Sequence, residues 1–213
     1  MSGVWAAVLL GVGAMAGAAR GEPAGGLLGQ SLAAARSNDL FTFFNLAQTS
    51  SRPCGDGQAL GFRPTGGTFH SLAAVEVLTD AHGTIAAMTL MLDRAFINDP
   101  ANGVFARDIA KSFLGDVAGP RAGASFAGLT QEIESGLSSG TTIYRSGAAP
   151  PAPSGPPSPG YQAFLGALPS ARLSAAGAVL DLANVQQAGK GVLRMSFSAG
   201  GASPDCAVAV VPD

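Results

Sequence analysis

Two runs dense in apolar residues, Phe69 to Thr79 and Thr84 to Ile97, are separated only by Asp80-Ala81-His82-Gly83. A short loop with Asp first and Gly last between two such runs is a hairpin signal, with Gly supplying positive φ. With Thr79 set opposite Thr84, one face carries Ala73, Val75, Val77, Ala86, Met88, Leu90 and Leu92. The other carries Ala74, Glu76, Ala87 and Thr89, with apolar residues near its ends. The first face is the predicted core face, because side chains alternate across a strand and one side must be buried.

Elsewhere the apolar period lengthens. Leu40, Phe43, Phe44 and Ala47 fall on one helical stripe behind Asn38 and Asp39, which predicts a capped helix through "LFTFFNLAQ". Phe105, Ile109, Phe113 and Val117 recur at every fourth residue between Asn98-Asp99-Pro100 and Gly119-Pro120, a second helix with start and stop signals. Arg107, Asp108 and Lys111 fall on its other, solvated side. A third helix is expected through Phe126, Leu129, Ile133 and Leu137, and a short one in "GYQAFLGALP". "AGAVLDLANV", "GVLRMSFSA" and "CAVAVV" read as three closing strands.

Two stretches break these patterns. "SSRPCGDGQALGFRPTGG" around Cys54 is rich in Gly, Pro and Asp and reads as a loop. "SGAAPPAPSGPPSPG", residues 146–160, is Pro-rich and uncharged, and reads as a flexible or partly polyproline linker. The order is helix, hairpin, two helices, linker, short helix, three strands. It predicts an α+β fold: a mostly antiparallel sheet with helices packed on one face.

The N-terminus changes the picture of where this fold lives. Val4 to Ala19 is uncharged and built mainly from Ala, Gly, Val and Leu, ending in Ala16-Gly17-Ala18 before Arg20. That order predicts a secretory signal over residues 1–19, followed by one domain over 20–213. The run is shorter than the ~20 residues that comfortably span a bilayer, so cleavage rather than anchoring is expected. Gly11-Val12-Gly13-Ala14-Met15-Ala16 imitates a dinucleotide fingerprint but lies inside the signal and carries no weight. Two cysteines, Cys54 and Cys206, are then expected to form one disulfide in an oxidising compartment.

Charged residues make up 12% of the chain and the net charge is −2, with Lys111 and Lys190 the two lysines. Nothing here neutralises a line of phosphates, so nucleic-acid binding is not expected. The abundance of Ala, Gly, Pro and Arg suits a GC-rich bacterial gene, and hence a periplasmic or secreted destination.

Candidate chemistry is sparse. His70 and His82 lie at opposite ends of one hairpin strand, roughly 30 Å or more apart at about 3.3 Å per residue, and so do not share a metal. The assumed register sets His70 across from Asp93, a pairing that orients an imidazole for general-base work. Arg94 stands next to that pair, and Ser71 points to the opposite face. Gly136-Leu137-Ser138-Ser139-Gly140 matches the nucleophile-elbow spacing, but a helical segment precedes it and a strand follows, the reverse of what the elbow needs. Glu132 and Glu134 do not face each other on a helix. Gly55-Asp56-Gly57 is too short for a calcium loop, and Gly189-Lys190-Gly191 lacks the phosphate-loop spacing. No cofactor or metal is expected. The expected protein is an exported, non-enzymatic module that binds an envelope partner or a small ligand; the alternative is a small hydrolase built on His70 and Asp93.

Overall fold

In a computed structural model of the chain, the described residues are 26–65, 70–97, 99–119, 126, 170–175, 177–187, 189–199 and 206. The strands are β1 (Leu46–Cys54), β2 (Gly57–Pro64), β3 (Ala73–Thr79), β4 (Ile85–Asp93), β5 (Ser170–Ala175), β6 (Ala178–Gln187) and β7 (Lys190–Ala199). The helices are α1 (Leu32–Ala35), α2 (Asp39–Thr42), α3 (Arg94–Ile97) and α4 (Gly103–Asp116). All seven strands form one antiparallel sheet in the order β1-β2-β3-β4-β7-β6-β5. The fold is thus mostly antiparallel sheet with a few short helices, closed by one disulfide. The segments expected as a signal, as the helix through Leu129, Ile133 and Leu137, as the Pro-rich linker, as the short helix in "GYQAFLGALP" and as the rest of the strand from Cys206 lie outside the described residues.

The β3–β4 hairpin forms around the expected turn. Asp80 Oδ1 accepts the N–H groups of His82 and Thr84, each at 2.8 Å, and Gly83 takes φ 74°. The Thr84 N–H is the main cause that holds the Asp80 carboxyl below its ordinary range. The register differs from the expected one. Thr79 faces Ile85, Ala86 is an extra residue, and from Leu78↔Ala87 onward the pairing is displaced by two residues. A displacement of two leaves the side chains beyond the bulge on their expected faces, because the strand period is also two, whereas at the bulge Ile85 takes the core place expected of Ala86. Ala73, Val75, Val77, Met88, Leu90 and Leu92 accordingly all lie in the main core. The bulge at Ala86 accompanies a further use of Ile85: its N–H donates to the Gln30 carbonyl and its own carbonyl accepts from Gly29 N–H, both at 2.9 Å.

β6 and β7 follow the sequence pattern directly. Leu180, Leu182, Leu193, Met195 and Phe197 enter the main core, while Asp181, Arg194 and Ser196 fall on the other side of the sheet. β4 receives β7 along its whole free edge, from Ala87↔Ser198 to Asp93↔Val192.

Two local expectations are corrected. The stretch around Cys54 is not a loop: β1 and β2 form a hairpin through Gly55 (φ 55°) and Asp56. Pro53 is tolerated because β1 is an edge strand, where a missing N–H leaves no ladder bond unmade. The helix after Asn38 is also shorter than its pattern predicts. Asn38 caps it as expected, its side chain accepting from Leu40 N–H at 2.8 Å, but α2 ends at Thr42. Asn45 then adopts φ 48° and the chain enters β1 at Leu46. Of the expected stripe Leu40 is buried and Phe44 packs partly against the core, but Phe43 is 73% exposed and Phe41 is buried in its place. Pairing with β2 overrides the helical spacing of Ala47. β5, an edge strand of low hydrophobicity, carried no sequence signal strong enough to predict it.

α4 keeps its expected place. Asp99 Oδ1 accepts from Ala101 and Asn102 N–H at 2.8 Å, and the Asn102 N–H chiefly holds that carboxyl below its ordinary range. Ala106, Ile109, Ala110, Phe113, Leu114 and Val117 are buried in the main core, whereas Phe105 is 42% exposed. The segment Gly26 to Leu28 closes the other end. Leu27 and Leu28 donate N–H groups to the carbonyls of Asp116 and Val117 at 3.0 and 3.1 Å. These are carbonyls that a helix end leaves without an intrahelical partner.

The disulfide links Cys54, the last residue of β1, to Cys206, with Cα atoms 5.9 Å apart and a sequence separation of 152. Cys54 sits with Ala59, Leu78, Ala87 and Cys206 in a small apolar cluster on the side of the sheet away from Val75 and Val77.

Two glycines separate space from conformation. A Cβ at Gly57 would stand 1.7 Å from the Thr79 carbonyl oxygen, while one at exposed Gly115 meets nothing within 4 Å. Urea denaturation should show Gly57→Ala destabilised by about 1–3 kcal/mol or more. Gly115→Ala should gain roughly 0.5–1 kcal/mol, because alanine loses less backbone freedom in a helix. Equal effects at the two sites would refute the packing of β2 against β3.

Asp116 carries a second prediction. Burial, and then the nearby Asp39 carboxylate, raise its pKa above the ordinary value. A raised carboxyl pKa means the folded state holds the proton more tightly, so this group costs stability when ionised and the cost disappears as pH falls through the folded value. Asp116→Asn should therefore raise the melting temperature at neutral pH, and the gain should shrink on acidification. A gain unchanged by pH would contradict the assignment.

Candidate functional site

The side of the sheet opposite the main core holds the described polar chemistry. Strand pairing lines up Ser50, Gly61, Glu76, Thr89, Ser196 and Asp181 as one row across six neighbouring strands, β1 to β4, β7 and β6. Glu76 is only 1% exposed and Thr89 is buried. A carboxylate taken from water needs an opposite charge or several donors. Arg52 supplies the charge, its Nη2 donating to Glu76 Oε2 at 3.1 Å.

That ion pair crosses an intervening strand. Arg52 on β1 pairs with Ala59 of β2, and Glu76 on β3 pairs with Gly61 of β2. Neighbouring strands stand about 4.8 Å apart, so the guanidinium has to pass over β2. Alanine and glycine at these two positions leave the passage open. One place further along the row, Thr89 Oγ1 and Ser196 Oγ are 2.8 Å apart and share a hydrogen bond across β4 and β7. Glu76 and Asp181 are separated by three strand spacings, about 14 Å, well beyond the 5–10 Å of a paired glycosidase acid and base.

Asp93 occupies the end of β4 on this same side. It is buried, and its Oδ1 accepts the Ala95 N–H at 2.7 Å at the start of α3. Its Oδ2 faces Lys190 Nζ at 3.8 Å. Thus one oxygen holds the turn into α3, and the other faces the first residue of β7. Arg94 follows immediately, and its Cγ would lie 3.1 Å from a Cβ placed at Gly191. Gly191 therefore gives the Arg94 stem its room.

The sequence-nominated residues are distributed as follows. Cys54 and Cys206 are brought together in the disulfide. His82 is exposed in the β3–β4 turn. His70 is exposed in the turn that leads into β3, at the other end of that strand. The two-residue register displacement gives the place opposite Asp93 to Leu72, whose carbonyl accepts the Asp93 N–H at 2.9 Å. Asp80 belongs to the turn, and Glu76 to the buried row. Glu132, Glu134 and the Gly136–Gly140 segment lie outside the described residues. Among the described residues, no group of three His, Cys, Asp or Glu side chains could hold a metal ion. No helix among them is long and apolar enough to cross a membrane.

The Arg52–Glu76 and Lys190–Asp93 pairs were missed by sequence reasoning. Arg52 stood in a stretch read as loop, and Lys190 in a turn. The available signal was the lone glutamate amid the apolar run Ala73–Leu78, which demanded a cation from elsewhere.

A double-mutant cycle with Arg52→Met and Glu76→Gln should give a coupling energy of roughly 0.5–3 kcal/mol in urea unfolding, the range for residues in direct contact. Raising the salt concentration should leave much of it, since buried pairs are screened less than exposed ones. A coupling of zero would remove this pair from the account of the sheet.

No protein-family model matches the chain, and the searches of curated proteins and of solved structures likewise found no match.

Proposed function

We propose that this protein is an exported, non-enzymatic binding module of the bacterial envelope, which holds a partner protein or a small ligand. The observation that carries this reading is the commitment of Asp93. A catalytic use with His70 needs that carboxylate to orient the imidazole. Instead, Oδ1 holds the Ala95 N–H, Oδ2 faces Lys190, and Leu72 stands opposite on β3. The buried Glu76 is likewise matched by Arg52. These carboxylates do structural work, and structural carboxylates favour a scaffold over a catalyst.

The disulfide supports the compartment, because such bonds persist where the surroundings are oxidising. In this reading residues 1–19 are a signal removed on export, and residues 20–213 form one domain. Helices cover one face of the sheet, residues 146–160 act as a linker, and no cofactor is used.

Mass spectrometry of the protein purified from the exported fraction of its own host tests the proposal. The intact mass should lack the N-terminal segment, and be two hydrogens below the fully reduced value. The native spectrum should retain a protein partner or a small molecule. A full-length, reduced protein held in the cytoplasm would overturn export. Turnover of an ester, peptide or glycoside panel that falls at least tenfold in His70→Gln, about 1.4 kcal/mol in barrier, would overturn the binding reading and favour the His70–Asp93 hydrolase.

A further inference from the structure

We draw no further inference here: the strongest candidate, the apolar surface patch of exposed Phe43 and half-buried Phe44 beside the positive-φ Asn45 where α2 passes into β1, carries nothing because no feature of the structure shows what covers it.

Discussion

The pairing of β4 with β7 is the seam on which the sheet depends. β1 to β4 form one run of neighbouring antiparallel strands and β5 to β7 another. Only the ladder from Ala87↔Ser198 to Asp93↔Val192 makes them one sheet. Without it two central strands would present open edges, with rows of unpaired N–H and C=O groups. The seam also brings Phe197 of β7 within ring contact of Phe113 of α4, with centroids 6.0 Å apart. The main core is therefore shared between distant parts of the chain. The Cys54–Cys206 bond adds a second tie, joining β1 to the chain beyond β7. By chain entropy, a closed loop of this size stabilises the fold by roughly 4–5 kcal/mol, less any strain.

The two sides of the sheet solve different physical problems. The side holding Val75, Leu90, Met195 and Phe197 is apolar and packs with residues of α2, α3 and α4 in one cluster. The other side mixes small apolar clusters with a polar row. There Glu76 is buried but paired with Arg52, and Thr89 shares a hydrogen bond with Ser196. A leucine at position 76 would be simpler energetically, since buried ion pairs rarely exceed well-packed apolar residues in stability. The pair instead ties β1 to β3 across β2, and so helps to hold the edge hairpin in register.

The same logic bears on function. Catalytic carboxylates are set apart by environments that leave them poised for proton transfer. Asp93 and Glu76 are committed to neighbours that hold strands and a helix start in place. On this commitment rests the proposal of a binding role over a catalytic one, and on the disulfide rests the proposal of an oxidising compartment.

How much was legible in the residues depended on whether the signal was local. The β3–β4 turn was readable because Asp80 and Gly83 act within five residues of one another. The faces of β3 and β4 survived a wrong register because side chains alternate with period two, so an even displacement changes partners without changing sides. The α4 core stripe was broadly readable, although Ala106, Ala110 and Leu114 joined it and Phe105 did not. The count of two cysteines allowed one simple pairing. The chain by itself therefore determined the hairpin, the main helix, the core face and the staple. Tertiary structure alone decided that "SSRPCGDGQALGFRP" would be strand, that α2 would stop at Thr42, and that Arg52 would meet Glu76 and Lys190 would face Asp93. Each of these rests on hydrogen bonds or charges contributed by residues remote in sequence, and no local pattern encodes a partner that only the folded sheet supplies.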